Sequence, residues 1–184
     1  VASGKHTKTL AHPGYVSALA WNPKGATLAV GGKVPTRSAD NSLLELPIAR
    51  VWDVASGNQV MHFEGLARPV SHAAWNASGT LLLTSNTEVA TWDAKTGARQ
   101  RLLDPSGAVT ALFSPKGSWV AIGSRGGARI VDAETGKEIG NVRGREIYPV
   151  WSPDARTVAL HSMESVQLFD VEKRRTRRLP TPGK

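Results

Sequence analysis

Cysteine is absent from this 184-residue chain, which excludes disulfides, thiolate metal sites and a cysteine nucleophile. Long apolar runs are absent too. None approaches the roughly 20 residues that a membrane helix needs, and Val1-Ala2-Ser3-Gly4-Lys5 offers no apolar stretch for a signal peptide. No membrane contact is expected; the compartment stays open, with the cytoplasm favoured. No segment spaces apolar residues at a sustained helical period, so the short alternating runs are read as strands. There is no Gly-x-Ser-x-Gly elbow, no phosphate loop and no His-Glu-x-x-His. The histidines, His6, His12, His62, His72 and His161, show no ligand spacing between them. No catalysis, metal or cofactor is expected.

Charge is unevenly placed. Of the formal net charge of +8, the stretch from Glu172 onward carries +5, with six Lys/Arg against one acid. The body is therefore only mildly basic, which weakens any argument from charge to nucleic acid. The run Lys173-Arg174-Arg175-Thr176-Arg177-Arg178 overlaps a short strand pattern, where Lys and Arg discourage edge pairing. An electrostatic contact with nucleic acid through this strand is the lesser alternative.

What is present is a repeat. Four segments read aromatic, polar, Pro or Ala, polar, Gly or Ala: Trp21-Asn22-Pro23-Lys24-Gly25, Trp75-Asn76-Ala77-Ser78-Gly79, Phe113-Ser114-Pro115-Lys116-Gly117 and Trp151-Ser152-Pro153-Asp154-Ala155. Each lies between two apolar runs, the second being Thr27–Val30, Leu81–Thr84, Trp119–Ile122 and Thr157–Leu160. A second signature follows each: Trp52-Asp53, Trp92-Asp93, Val131-Asp132 and Phe169-Asp170, at steps of 40, 39 and 38 residues. Asn or Ser, then Pro, a polar residue and Gly describe a type I turn closed by a left-handed glycine. Asp53 to Gly57, Asp93 to Gly97 and Asp132 to Gly136 describe a second turn. Fourth strands are expected at Gln59–Phe63, Arg99–Leu103, Glu138–Val142 and Thr176–Leu179. Asn76-Ala77-Ser78 also matches a glycosylation sequon, but it fills a slot where the turn wants Asn. Five tryptophans (Trp21, Trp52, Trp75, Trp92, Trp151) fall on repeat positions and are expected in the core rather than on a sugar-stacking surface; Trp119 begins a second strand.

These Trp-Asp pairs and aromatic-Ser-Pro-x-Gly turns, four times in phase over nearly the whole chain, resemble the WD-repeat β-propeller family. The resemblance implies an all-β fold of four four-stranded blades plus one extra outer strand, part of a propeller of about seven or eight blades. The implied divisions are 1–14 (outer strand of a preceding blade), 15–64 (a blade with an insertion at 32–47), 65–104, 105–143 and 144–180. WD-repeat blades often pair an Asp six residues before the Trp-Asp tryptophan with a His before the first strand. Leu46, Asn86, Arg125 and Met163 occupy the Asp position here. His12 stands near the His position without its partner, so the usual buried network is expected to be missing. Val16 and Val70 lie five residues before their turn aromatic, whereas Val109 and Ile147 lie four before, so two blades need a bulge or a shortened loop.

Val1-Ala2-Ser3-Gly4-Lys5 repeats Val54-Ala55-Ser56-Gly57-Asn58, which makes Lys5–Leu10 a fourth strand without a blade of its own. Five such strands against four sets of the other three leave the ring open. It is expected to close through further blades in the same chain or another, or by pairing two chains.

The first blade is irregular. Trp21 to Trp52 spans 31 residues where Trp75 to Trp92 spans 17, an excess of about 13 placed between the second and third strands. So long a loop is either functional or a tolerated insertion whose leucines cap the blade. The loops joining strand two to three and blade to blade meet on one face. That face is expected to bind a protein partner through Tyr15, Arg37, Leu43, Leu44, Leu46, Arg68, Arg125, Arg143 and Arg145, with Asn86 beside them. The leading expectation is a non-catalytic interaction scaffold. An accessory propeller of a larger hydrolase or kinase remains the alternative.

Overall fold

The computed structural model describes residues 8–180 apart from 77, 85–87, 105–106, 118, 146 and 164, and of residues 81–84 it describes the backbone. All regular structure among them is strand. The first sheet holds β1 (Tyr15–Trp21), β2 (Thr27–Arg37), β3 (Leu43–Asp53) and β4 (Gln59–His62). The second holds β5 (His72–Trp75), β6 (Thr80–Thr84), β7 (Val89–Asp93) and β8 (Arg99–Asp104). The third holds β9 (Ala108–Phe113), β10 (Trp119–Ser124), β11 (Gly127–Asp132) and β12 (Glu138–Arg143). The fourth holds β13 (Tyr148–Trp151), β14 (Thr157–His161), β15 (Val166–Asp170) and β16 (Arg175–Arg178). Each sheet is an antiparallel meander in chain order. The register slips at Val16/Ala18 in β1 and at Gly123/Ser124 against β9, so the first and third sheets carry first-strand bulges.

Two turns recur for one physical reason each. At the first, the backbone N–H of Gly25, Gly79, Gly117 and Ala155 donates to the carbonyl three residues earlier, at 2.7–3.1 Å. At the second, the aspartate Oδ1 of Asp53, Asp93, Asp132 and Asp170 accepts from the backbone N–H of Ser56, Thr96, Thr135 and Lys173, at 2.7–2.9 Å. These backbone donors are the main reason the carboxyls of Asp53, Asp93 and Asp132 titrate below the ordinary aspartate value. The closing residue is left-handed each time: φ is 77° at Gly57, 74° at Gly97 and 73° at Gly136. The fourth sheet departs from this at both turns. Ala155 has φ 62° and Arg174 has φ 51°, positions where a Cβ is strained.

Neighbouring sheets meet first strand to first strand, β1 on β5, β5 on β9 and β9 on β13. Their faces enclose three apolar clusters, one per seam. At the first seam Ala18, Ala29 and Ala49 face Val70 and Trp92. A Cβ on Gly31 would lie 2.6 Å from Val70 Cγ1, so only glycine permits this approach. The Trp75 indole N–H donates to Ala20 O at 2.9 Å, and Trp151 makes the same bond to Leu112 O at 3.1 Å. Phe113, at the second seam, has no N–H to give.

The polar network expected to be missing leaves donors stranded. Trp52 Nε1, Trp92 Nε1, Arg50 Nε and both ring nitrogens of His12 are buried without a hydrogen-bond partner. His12 stands edge-on to Trp52 at 6.3 Å; burial first, then the Arg50 charge, lowers its pKa. Trp21 departs from the core placement expected of it. It is 57% exposed, because no sheet among the described residues lies against its side of the first blade.

The inserted residues 32–47 also correct an expectation. They are not a loop: β2 and β3 each run to 11 residues and stay paired from Thr27↔Asp53 to Arg37↔Leu43. Alternating Val34, Thr36, Leu44 and Leu46 suit strands. Ser38–Ser42 turns the chain, with Asn41 left-handed at φ 68°. The insertion is a hairpin arm.

Two stability outcomes follow from this packing. Arg174→Gly removes the side chain that the left-handed turn strains, and is expected to raise stability by about 1 kcal/mol, read as a higher urea midpoint. Trp92, 2% exposed and edge-on to Phe63 at 5.7 Å, carries an unpaired N–H. Trp92→Ala is expected to cost about 3–5 kcal/mol. Trp92→Phe deletes the stranded donor and is expected to cost below about 1.5 kcal/mol.

Candidate functional site

One end of the sheets collects the arm and the loops that join one blade to the next. The arm is built from two unlike sides, because opposed residues of an antiparallel pair share a face. Lys33, Pro35, Arg37, Leu43, Glu45 and Pro47 continue the side of Gly31 and Ala49, which faces the second blade. Val34, Thr36, Leu44, Leu46 and Ile48 lie on the opposite side. The leucines expected to form one cluster are therefore divided: Leu43 stands on one side, Leu44 and Leu46 on the other. All three are exposed, at 66%, 42% and 51%. Pro35 and Pro47 offer no N–H at the arm's outer edges, which discourages a further strand from adding there.

The arm's tip is held by Asp40. Its carboxylate accepts from the hydroxyls of Ser38 and Ser42 and from the Ser42 N–H. These bonds, the Ser38 hydroxyl first, lower its pKa to about 2. Arg37 Nη1 donates to Asn41 O at 2.9 Å across the same turn. At the arm's base Lys33 pairs with Glu45 and lies 6.0 Å from the Tyr15 ring centre. A cleft of about 420 Å³ opens there between the arm and the second blade, lined by Ser17, Lys33, Glu45, Arg68, Val70 and Ser71.

Arg125, Arg143 and Arg145 gather at the third and fourth blades instead. Gly127 pairs with Arg143, Gly144 N–H donates to Gly126 O, and all three arginines are exposed. Arg145 lines a cleft of about 320 Å³ with Ile147, Ser162, Met163 and Gln167. Seven of the expected residues thus form two groups, Tyr15, Arg37, Leu43 and Arg68 on the arm's inner side and the first seam and the three arginines around the last, while Leu44 and Leu46 lie on the arm's other side. Asn86 lies outside the described residues. Ser17, Ser71 and the Lys33–Glu45 pair went unread in the sequence, because lone serines and a pair 12 positions apart carry no local signal. Met163 was noted only for the turn it occupies, yet it is 93% exposed.

A cleft of about 830 Å³ lies at the opposite end between the second and third blades. There Thr91 replaces the aliphatic residues Val51 and Ile130 of neighbouring blades. Size alone does not make it the site. Its lining mixes Arg101 and Lys116 with Asp132 and Glu134, and Arg101 is committed to Glu134 O at 2.6 Å.

Residues 4–43 match the family described as WD domain, G-beta repeat. This stretch spans the segment before β1, both first strands of the blade and the arm's tip. The four antiparallel four-stranded sheets are consistent with WD-repeat propeller blades, and they are not closed, so a partial propeller fits. No curated protein matches the chain. WD repeats generally mediate protein–protein interaction and are typically non-catalytic.

The Asp40 turn gives a pH outcome. Its folded pKa, about 2, lies below the ordinary carboxylate value, so what it adds to the arm is complete above about pH 4 and is lost as pH falls through the folded value. A carboxyl chemical-shift titration is expected to place Asp40 near that value. Asp40→Ala is expected to speed amide exchange at residues 37–43 while leaving the melting temperature unchanged. A normal Asp40 titration would show that the turn is not formed in solution.

Proposed function

We propose that this chain is a non-catalytic scaffold which captures a protein partner on the face that bears the hairpin arm and the inter-blade loops. The observation that carries the reading is the arm. It projects beyond β1 and β4, which pair only as far as Lys33 and Arg50. Side chains on a rigid projecting element reach a partner with little ordering cost. Its inward side carries Arg37 and Leu43, both exposed, beyond a cleft edged by Lys33, Glu45 and Arg68, and exposed Tyr15 of β1 pairs with Lys33 at its base. Arg and Tyr are favoured interface anchors, and apolar groups beside them add area removed from water. The arginine group by Met163 extends the same face across the fourth blade.

The test replaces residues 34–45 by a short Gly-containing turn. That end of the ladder contributes no member to the three buried clusters. The melting temperature is therefore expected to stay within about 2 °C, since surface changes away from a core shift stability by about 0.5 kcal/mol or less. Proteins retained from lysate by the parent are expected to be lost from the shortened form, a loss of at least about 1 kcal/mol in affinity. Retention unchanged with stability unchanged would leave the arm without this role.

A further inference from the structure

The cleft of about 830 Å³ at the end opposite the loop face poses a separate question. Its volume falls within the range of small-molecule sites. No aromatic or large aliphatic side chain lines it, so it offers nothing to a lipid tail or a stacked ring. What marks it is the polarity of one blade where its neighbours are apolar. Between third and fourth strands, Thr91 opposes Arg101, whereas Val51 opposes Met61 and Ile130 opposes Gly140. The bulge beside each pair holds Gln100 in the second blade, Val60 in the first and Ile139 in the third. Thr91, Gln100 and Arg101 all line the cleft.

Two lining side chains are buried with hydrogen-bonding capacity to spare. Thr91 is 1% exposed, yet its hydroxyl has no partner among the described residues. Burying such a group without a bond costs stability. Asn76 is 9% exposed. Its Oδ1 accepts from the Ser78 hydroxyl and the Thr80 N–H, both at 2.8 Å, which closes the turn. Ser114 and Ser152 serve the same turn with a hydroxyl oxygen. The Asn76 amide nitrogen is therefore surplus to the turn, and it has no partner among the described residues.

Charge on the walls is balanced, with Arg101 and Lys116 against Asp132 and Glu134, so a simple anion gains no net attraction. Asp132 is occupied: its Oδ1 accepts from the N–H groups of Glu134 and Thr135 and from the Thr135 hydroxyl. Arg101 gives only Nε to Glu134 O. Its Nη groups, the Lys116 ammonium and the Glu134 carboxylate form no ion pair among the described residues, and all three residues are exposed.

We propose that this cleft binds a short free peptide, a zwitterion of a few residues. The peptide's carboxylate accepts from the Arg101 Nη groups and Lys116 Nζ, and its ammonium donates to the Glu134 carboxylate. A backbone carbonyl accepts from the Asn76 amide. The Thr91 hydroxyl and the Gln100 amide, each donor and acceptor at once, meet the remaining peptide groups. These neutral partners match peptide units, which a free amino acid lacks. The site lies away from the loop face, and neither reading needs the other.

Triglycine is the probe, because it carries both charged ends and two peptide units without side chains. An amide chemical-shift titration of the full chain would compare it with N-acetyl-triglycine, triglycine amide, the doubly capped form and inorganic phosphate. Triglycine is expected to shift residues 76, 78, 91, 101 and 134 saturably. Capping either end is expected to weaken binding about tenfold, the size of a lost hydrogen bond to a charged group. Thr91→Val with Arg101→Met carries only what the first blade already holds in these slots. It is expected to lose at least about tenfold in affinity with little change in melting temperature. Glu134→Gln, on an exposed turn, is expected to cost triglycine about tenfold and N-acetyl-triglycine nothing; it decides alone if the double variant fails to fold. Replacing residues 34–45 on the loop face is expected to leave triglycine binding intact. The proposal is overturned if triglycine gives no saturable shifts at the cleft, or if the doubly capped peptide or phosphate binds as tightly. It also falls if Glu134→Gln weakens both peptides alike, or if binding survives in a folded Thr91→Val, Arg101→Met chain or is lost with the arm.

Discussion

A sheet of four short strands has two faces, and water tolerates neither when both are apolar. That constraint organises this molecule. Each inner blade is stable because its neighbours cover it, and at the first seam the cover is asymmetric: Ala18, Ala29, Gly31 and Ala49 on the first blade receive Val70 and Trp92 of the second. Small against large lets the sheets approach until Val70 touches the place of a Gly31 side chain. The seam tryptophans add an indole-to-carbonyl bond at a fixed height, so neighbouring sheets are held in register as well as in contact. At the second seam, where phenylalanine stands instead, no such indole bond is made.

The turns serve this stacking. An aspartate that accepts N–H groups of its own turn fixes the exit from the third strand without help from another blade, so each blade can form locally before it is covered. Such local closure suits a repeat fold, in which stability is summed from units and their interfaces. The fourth blade keeps the aspartate but not the glycines, and carries left-handed Ala155 and Arg174 in their place. The first two blades keep their Trp-Asp tryptophans but not the partners that would satisfy the indole N–H. In these blades packing area has replaced the polar network, at the expense of a stranded donor on each.

An insertion survives in such a fold only where it leaves the ladder whole. Lengthening β2 and β3 together does so, because the added residues pair with one another. The result is a stiff arm rather than a loose loop, with side chains aimed to two sides by the pleat. One side meets the cleft at the first seam; the other prolongs an apolar blade face. Prolines at 35 and 47 guard the arm's edges, so its faces rather than its backbone are what it offers.

Much of the fold could be read from the residues alone, because the signals are local. A Pro before a polar residue and Gly, or an Asp four residues before Gly, fixes a turn through its own dihedral angles and hydrogen bonds. Four copies in phase then fix four sheets of four strands and their order, although the further strand expected at Lys5–Leu10 is not formed over its described residues 8–10. Counting residues against a period of two called for a bulge or a shortened loop in two blades, and the first and third sheets carry first-strand bulges. The arm was misread as a loop because Pro35, Pro47 and the polar run 36–42 look like breakers until each strand is seen to have the other as partner. The division of Leu43 from Leu44 and Leu46, and the meeting of Ser17, Lys33, Glu45 and Arg68, depended on pleat and on the approach of separate blades. The exposure of Trp21 depended on what lies beside a blade. Turn chemistry acts within five residues and is written in the sequence; burial is decided between sheets, and only the assembled structure says which face is covered.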